Sequence, residues 1–162
     1  MKTNHTLKIV FGNLLFTILQ PGIVAGLIPY LILNKNRRLE LNLPFLWNQY
    51  LGTFLFISGI FILTICIVDF IKLGKGTLSP ILPTKKLVCQ GLYKYTRNPM
   101  YIGVILILVG EVLFFKAPLL TIYTMIVYLI FNIFIVYKEE PRLSKDFGTD
   151  YQRYRNKVKR WI

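Results

Sequence analysis

Residues 97–103 read Arg-Asn-Pro-Met-Tyr-Ile-Gly and open an apolar stretch that continues to Phe115. A second apolar stretch, Leu119 to Tyr137, begins after only three residues and is followed by Glu139 and Glu140. So short a connection predicts a tight hairpin of two antiparallel helices. Both polar strings then lie at the same end of the hairpin. Because ionisable groups beside a membrane span are costly to desolvate, they mark a candidate functional site.

The whole chain has the composition of a membrane protein. Hydrophobic residues make up 54% of its 162 residues, more than an ordinary soluble domain contains. Four apolar stretches have, or approach, the length of about 18–20 residues that crosses a bilayer: 7–33, 50–71, 99–115 and 119–137. Pro21-Gly22 and Pro29 interrupt the first, which predicts a kinked or tilted helix or two short helices. We therefore expect a single all-α integral membrane domain, residues 1–162, with four transmembrane helices, or five if the first stretch is split.

The charge distribution predicts the orientation of the chain. The net charge is +13, and lysine and arginine concentrate in the loop 72–96 and in the tail after residue 137. Positively charged segments beside spans usually face the cytoplasm, so we expect both there, with the protein in the cytoplasmic membrane. Lys35, Arg37 and Arg38 would then lie outside, in mild conflict with the rule. A basic chain can also bind nucleic acid, but charge that flanks spans favours lipid headgroups instead.

The remaining chemically reactive residues in or beside the spans are isolated. Cys66 lies in the second stretch, Cys89 in the loop, and the only histidine is His5. Neither a disulfide nor a metal site is predicted from so few ligands. Glu111, toward the far end of the third stretch, is interpreted as an interfacial or packing residue. Asp69, which ends the second stretch, is expected to pair with Lys72 or Lys75.

Asn98 and Pro99 predict where the third helix begins. Asparagine is a favoured N-cap residue, and proline is favoured at the first helical position. The free N–H groups of such a helix start suit a carboxylate or the polar ring atoms of a nucleotide. Tyr101 lies within the first turn, where it could stack or donate a hydrogen bond, and Gly103 removes bulk beside it. The alternative is a simple helix cap with Arg97 and Tyr101 at the membrane interface.

The acidic pair after the fourth stretch could serve a ligand or a salt bridge. Asn132, Ile135 and Glu139 fall on one helix face because they are three and four residues apart. The Glu139 carboxylate could therefore meet an ammonium or sulfonium group. It could equally pair with a nearby cation, namely Lys138, Arg142 or Arg97.

Two further segments could complete the site. The loop 72–96 is long and rich in glycine and proline, and loops of this length are usually functional or disordered, although it could be a simple connector. In the tail, residues 141–162 place apolar side chains at helical spacing: Phe147, Tyr151, Tyr154, Val158 and Trp161. This pattern predicts a basic amphipathic helix that lies on the membrane, weakened at Gly148.

Taken in order, these segments resemble the integral-membrane methyltransferases that include the isoprenylcysteine carboxyl methyltransferases and the related phospholipid N-methyltransferases. The resemblance runs from about Gly74 to the end of the chain. Each piece is weak alone, but the ordered set is specific. The segments that carry it are Leu87-Val88-Cys89-Gln90-Gly91-Leu92-Tyr93, Arg97 to Gly103, Glu139-Glu140, Phe147-Gly148-Thr149-Asp150-Tyr151 and Val158-Lys159-Arg160-Trp161.

The resemblance implies a methyltransferase core at 72–162 that binds S-adenosyl-L-methionine. The cytoplasmic loop, the hairpin and the C-terminal amphipathic helix would form the cofactor pocket. Glu139 matches the residue expected to hold the methionine ammonium group. The other implied cofactor-binding residues are Lys85, Lys86, Leu87, Val88, Tyr93, Asn98, Pro99, Met100 and Tyr101.

The predicted catalytic residues are Arg97, Tyr101 and Glu140. Methyl transfer from a sulfonium is an in-line displacement, so the protein mainly positions donor and acceptor. A carboxylate acceptor needs no base, whereas an amine needs one, and Glu140 or Tyr101 could serve.

The expected acceptor is membrane-embedded or lipophilic, and its functional group is left open by the sequence. Enzymes that act on prenylcysteine carry an arginine about one turn before the glutamate pair, where Ile135 stands here. A phospholipid amine or a small thiol is therefore an alternative to a carboxylate acceptor. A further alternative is a non-catalytic membrane scaffold that retains the fold.

Overall fold

The computed structural model describes residues 19–35, 46–73 and 87–161, and these are helical with short connections and no strand among them. A π-helical turn, Ile23–Leu27, leads into α1 (Ile28–Lys35). The elements that follow are α2 (Trp47–Leu73), a 3₁₀ turn (Gly91–Lys94), α3 (Pro99–Phe115), α4 (Pro118–Phe134), a second π-helical turn (Ile135–Glu139) and α5 (Glu140–Lys157).

Two of the described helices are long and apolar enough to cross a membrane. One is Trp47–Asp69 within α2, and the other lies in the 40-residue helical run Pro118–Lys157, which is kinked at Gly148. That run would be about 60 Å long, twice the hydrocarbon thickness of a bilayer, so only its apolar part up to Tyr137 is assigned to the membrane. The outer faces of these helices expose large apolar side chains that fit a lipid environment, such as Phe54, Phe61 and Met125. The chain is thus a helical membrane protein, while four spans remain a prediction.

The first apolar stretch is distorted where proline and glycine predict it. Residues 19–35 are helical throughout, and the π-helical turn begins directly after Pro21-Gly22. Residues 7–18, where a split was also possible, lie outside the described residues.

Helices α2 and α3 approach closely through two pairs of glycines. A Cβ atom added to Gly52 would lie 2.6 Å from the carbonyl oxygen of Gly110, and one added to Gly59 would lie 2.6 Å from that of Gly103. The pairing shows that the two helices are antiparallel. Because lipid is as apolar as a side chain, such packing depends on small residues that let two backbones meet. Gly103 therefore faces Gly59 and Leu63 of α2, and the interpretation that it clears space beside Tyr101 is wrong.

The predicted tight hairpin is confirmed. Lys116 ends α3 in the left-handed conformation (φ 48°, ψ 41°) and donates its backbone N–H to the carbonyl of Val112 at 2.9 Å. Ala117 and Leu120, just after it, pack against Leu33 of α1. We call this end of the bundle the hairpin end, and the opposite end, where α3 begins and α5 follows α4, the tail end.

The tail is helical for most of the predicted length but not all of it. Gly148 adopts φ 49° and ψ −122° and kinks α5, as its weak helix propensity indicates. The helix ends at Lys157, and Val158 is extended (φ −122°, ψ 129°). Trp161 therefore lies on an extended segment and not on the predicted helical face. Only Tyr151 and Tyr154 of that face are buried, with 1% and 9% of their surfaces exposed.

Candidate functional site

Asn98 and Pro99 begin α3 as predicted, but the asparagine side chain binds the C-terminal segment and does not cap the helix. Asn98 occupies the N-cap position without a side-chain capping hydrogen bond. Its Nδ2 instead donates to the carbonyl oxygen of Arg160 at 2.9 Å, and the Thr96 hydroxyl donates to the same oxygen at 3.1 Å. The backbone N–H of Arg97 donates to the carbonyl of Lys159 at 2.9 Å. The extended C-terminal segment is thus bound directly to the start of α3.

Tyr101 and Glu139 meet across the hairpin. The Tyr101 hydroxyl donates a hydrogen bond to Glu139 Oε2 at 2.8 Å, and its ring packs edge-on against Phe131 at a centroid distance of 4.7 Å. Glu139 is the last residue of the second π-helical turn, an irregularity often found at functional sites. Burial raises the pKa of Glu139, while the hydrogen bond from Tyr101 and the charge of Arg142 only partly oppose the rise.

Glu140, one residue further, is held by two arginines. Arg160 binds it through two hydrogen bonds, Nε to Oε1 at 2.8 Å and NH2 to Oε2 at 3.0 Å. Arg97 NH2 lies 3.2 Å from Oε1, and Arg97 NH1 donates to the Tyr151 hydroxyl at 3.2 Å. Burial favours a raised pKa for Glu140, but the hydrogen bonds from Arg160 and the charge of Arg97 outweigh it and lower the pKa. We call these four residues the Glu140 cluster.

The end of the loop is built around Tyr93, which is 8% exposed. It packs with Val88 against the fully buried Cys66, and Met100 contacts the same group. The Tyr93 carbonyl accepts a hydrogen bond from the Tyr154 hydroxyl at 2.7 Å, so α5 is bound to the loop as well.

Gly91 begins the 3₁₀ turn with φ 60°, a conformation that favours glycine. A Cβ atom on Gly91 would collide with the Asp69 carboxylate, so the turn lies directly against the end of α2.

The last described residue closes this end of the bundle. Trp161 Nε1 donates to Asn132 Oδ1 at 3.0 Å, and its ring lies 5.6 Å from that of Tyr128. Asn132 was predicted to share the face of Glu139, and the indole now covers that part of α4. Arg160 and Trp161 belong to one of the motifs that carry the family resemblance, but the sequence predicted no contact partner for either residue.

Several buried polar atoms at the tail end lack partners. Asp69 Oδ2, Arg97 Nε and Arg142 Nε have no hydrogen bond. Asp69 was expected to pair with Lys72 or Lys75, but the side chains of these two lysines are not among those that the structure describes. An unsatisfied buried polar group costs about 1–3 kcal/mol, so such groups usually indicate a missing ligand or water.

The predicted site residues that the structure describes lie together at the tail end. Lys85 and Lys86 lie outside the described residues. No group of three or more histidine, cysteine and acidic side chains able to hold a metal occurs in the described part of the chain. The predicted site residues that the structure does describe are Leu87, Val88, Tyr93, Arg97, Asn98, Pro99, Met100, Tyr101, Glu139 and Glu140.

Comparison with known proteins assigns the family. The model of the family described as phospholipid methyltransferase matches residues 47–150. The chain belongs to the phospholipid methyltransferase family. The match contains α2, the hairpin and both members of the Tyr101–Glu139 pair. It confirms the family resemblance predicted from the motifs and supports a membrane enzyme that transfers a methyl group.

One relative of this family member has no assigned function. The chain is 36% identical to an uncharacterized protein of Haemophilus influenzae over 63 residues. These residues make up 39% of this chain and the whole length of that protein. No solved structure matches the chain.

Proposed function

We propose that the chain transfers a methyl group from S-adenosyl-L-methionine to a membrane-embedded, lipophilic acceptor, and that the reaction occurs at the tail end. The observation that carries this proposal is the Tyr101–Glu139 pair. It lies beside the N-terminus of α3 and within the region that matches the methyltransferase family, and the neighbouring Asn98 and Glu140 bind the C-terminal segment. A buried carboxylate beside free helix N–H groups suits a ligand that carries both an ammonium and a carboxylate.

The partnerless polar atoms at the tail end fit this cofactor. S-adenosyl-L-methionine supplies an activated methyl group on a sulfonium. Glu139 would hold the ammonium group of its methionine part, and Arg142, whose charge acts on Glu139, would hold the carboxylate. The free Oδ2 of Asp69 would accept a hydrogen bond from a ribose hydroxyl, as acidic residues do in other nucleotide sites.

The Glu140 cluster has a positioning role in this proposal. Glu140 makes three contacts with two guanidinium groups, and its lowered pKa makes it a poor proton acceptor. The earlier prediction that Glu140 or Arg97 is catalytic stays a prediction. The contacts of Glu140 with Arg97 and Arg160 instead favour a role in holding the C-terminal segment in place beside the site. Such positioning is the main contribution an enzyme makes to a displacement reaction.

An amine of a phospholipid is the acceptor we favour. The family is described by its action on phospholipids, and Ile135, only 1% exposed, supplies no cation for a carboxylate. An amine acceptor must lose a proton before it attacks, and we assign this step to the Tyr101 oxygen as the nearest candidate base, while Glu139 stays ionised to hold the cofactor's ammonium group.

Transfer of labelled methyl groups tests the proposal. Protein in nanodiscs is incubated with labelled S-adenosyl-L-methionine and, in parallel, a total lipid extract, small thiols and a prenylcysteine. We expect label in an aminophospholipid, and loss of it in Glu139→Gln and Tyr101→Phe. Asp146→Asn and Tyr137→Phe, at exposed positions of the same helical run, are the matched controls. Label in the thiol or prenylcysteine alone would refute the amine acceptor, and no transfer together with no cofactor binding would favour the scaffold.

A further inference from the structure

A second site of a different kind lies at the hairpin end. A cavity of about 350 Å³ lies between the first helical segment (residues 19–35), α2 and α3, and its volume is within the range of small-molecule sites. The residues of its wall used below are Gly26, Tyr30, Phe56, Glu111, Phe114 and Phe115. Glu111 lies ten residues after Tyr101 in α3, which corresponds to about 15 Å along the helix axis. The cavity is therefore separate from the proposed methyl-transfer site.

Glu111 is the chemically distinctive group of this cavity. Its Oε2 is buried and has no hydrogen-bond partner. Nearby hydroxyls are already engaged, since Thr53 donates to the Gln49 carbonyl at 2.8 Å and Tyr123 donates to the Val24 carbonyl at 2.8 Å. Retaining an unpaired carboxyl group in an apolar wall is costly. A ligand with a positive charge or a strong donor would remove this cost.

The rest of the wall favours a cation over a neutral donor. Four aromatic side chains line the cavity together with Glu111, and Phe114 and Phe115 pack edge to face at 4.9 Å. Aromatic rings around a carboxylate form the usual environment for an ammonium group, including a methylated one. Tyr30, with 54% of its surface exposed, and Gly26 lie at the surface of the bundle. The cavity therefore opens toward lipid.

We propose that this cavity binds the ammonium group of a membrane amphiphile, a cationic head carried on an apolar chain. The ammonium would lie against Glu111 and the aromatic side chains, and the chain would leave between the first helical segment and α2 into the bilayer. A soluble ammonium ion offers the same charge but lacks the chain. The proposal is thus specific for a lipophilic cation and does not depend on methyl transfer.

Binding of hexadecyltrimethylammonium to the full chain in nanodiscs tests this inference. We expect saturable binding above the level in empty nanodiscs, competed by hexadecylamine but not by hexadecanol or tetramethylammonium. Glu111→Gln keeps the shape and removes the charge, and should weaken binding about tenfold or more. Asp150→Asn, an exposed acid in α5, is the control for lost charge.

A second pair of variants tests the cavity without touching Glu111. A Cβ atom at Gly26 meets nothing within 4 Å, so Gly26→Phe should fill the cavity and abolish binding. Gly22→Phe, with the same free space but no place in the cavity wall, should bind normally. Absence of saturable binding, equal binding of the alcohol or of tetramethylammonium, or normal binding by Glu111→Gln and Gly26→Phe would each overturn the proposal.

Discussion

Glu139 and Glu140 are adjacent in the chain and have opposite surroundings. Glu139 accepts one hydrogen bond, from Tyr101, and burial raises its pKa. Glu140 is bound by Arg97 and Arg160, and its pKa is lowered despite burial. One carboxylate is therefore available to a ligand while the other holds the fold together.

Exchange of each glutamate for glutamine should separate these two roles. We expect Glu139→Gln to weaken binding of S-adenosyl-L-methionine about ten- to a hundredfold, because a charge-assisted hydrogen bond contributes roughly 1.5–3 kcal/mol. Glu140→Gln should mainly lower the thermal stability, since Arg97 and Arg160 lose their partner. Calorimetric titration and thermal unfolding in detergent measure the two effects, and equal losses of affinity would refute the assignment.

The pH dependence of the tail follows from the lowered pKa of Glu140. A carboxyl group whose pKa is lower in the folded state stabilises the fold above its unfolded pKa of about 4.3. That stability is lost as the pH falls through the lower folded value. Limited proteolysis of α5 should therefore accelerate when the pH falls below about 4, but less so in Glu140→Gln. An acid response that is identical in both proteins would contradict the prediction.

At the scale of the elements, the glycine pairs between α2 and α3 set the separation of the two helices. Gly52 and Gly59 are seven residues apart, as are Gly103 and Gly110, so each pair of glycines lies on about the same helix face. The close approach aligns α2 with the helix that carries Tyr101. It also brings Asp69 to the Gly91 turn.

Gly59→Ala should destabilise the bundle. Its Cβ would lie 2.6 Å from the Gly103 carbonyl oxygen and 2.9 Å from the Ile107 nitrogen, both backbone atoms that cannot rotate away. Overpacking of this kind costs about 1–3 kcal/mol. Gly22→Ala, which meets nothing within 4 Å at a helical position, is the control and should not destabilise the bundle. Unfolding in sodium dodecyl sulfate measures both, and equal stabilities would show that α2 and α3 can separate without cost.

At the scale of the whole molecule, the two ends of the bundle have different chemistry. The tail end holds the Tyr101–Glu139 pair, the Glu140 cluster and most of the described positive charge. The hairpin end holds the aromatic cavity around Glu111. Since positive charge favours the cytoplasm, we propose that the tail end is cytoplasmic.

Accessibility of introduced cysteines tests this orientation. Lys94, Gln152 and Lys116 are exposed, the first two at the tail end and the third at the hairpin end. With Cys66 and Cys89 replaced, an impermeant thiol reagent applied to intact cells should label Lys116→Cys only. Labelling of Lys94→Cys or Gln152→Cys instead would reverse the topology.

Much of this arrangement could be predicted because it depends on local sequence. Pro99 and Asn98 set the start of α3, and the three-residue connection requires a hairpin, so Tyr101 and Glu139 had to lie at one end. The seven-residue spacing of the glycines is also visible in the sequence. The spacing alone does not show which helix each pair of glycines packs against. The core boundary at residues 72–162 and the assignment of each site residue remain predictions.

The sequence by itself determined the helical membrane class, the hairpin, the family and the end of the hairpin at which the two polar strings meet, since hydropathy, helix caps and motif order are properties of consecutive residues. Only the tertiary structure decided that Arg160 binds Glu140, that Trp161 covers Asn132, and that Glu111 faces an aromatic cavity. The physical reason is that these contacts join residues on different elements, or beyond a helix end. Helical periodicity carries no information about such partners, and only the packing of the elements brings them together.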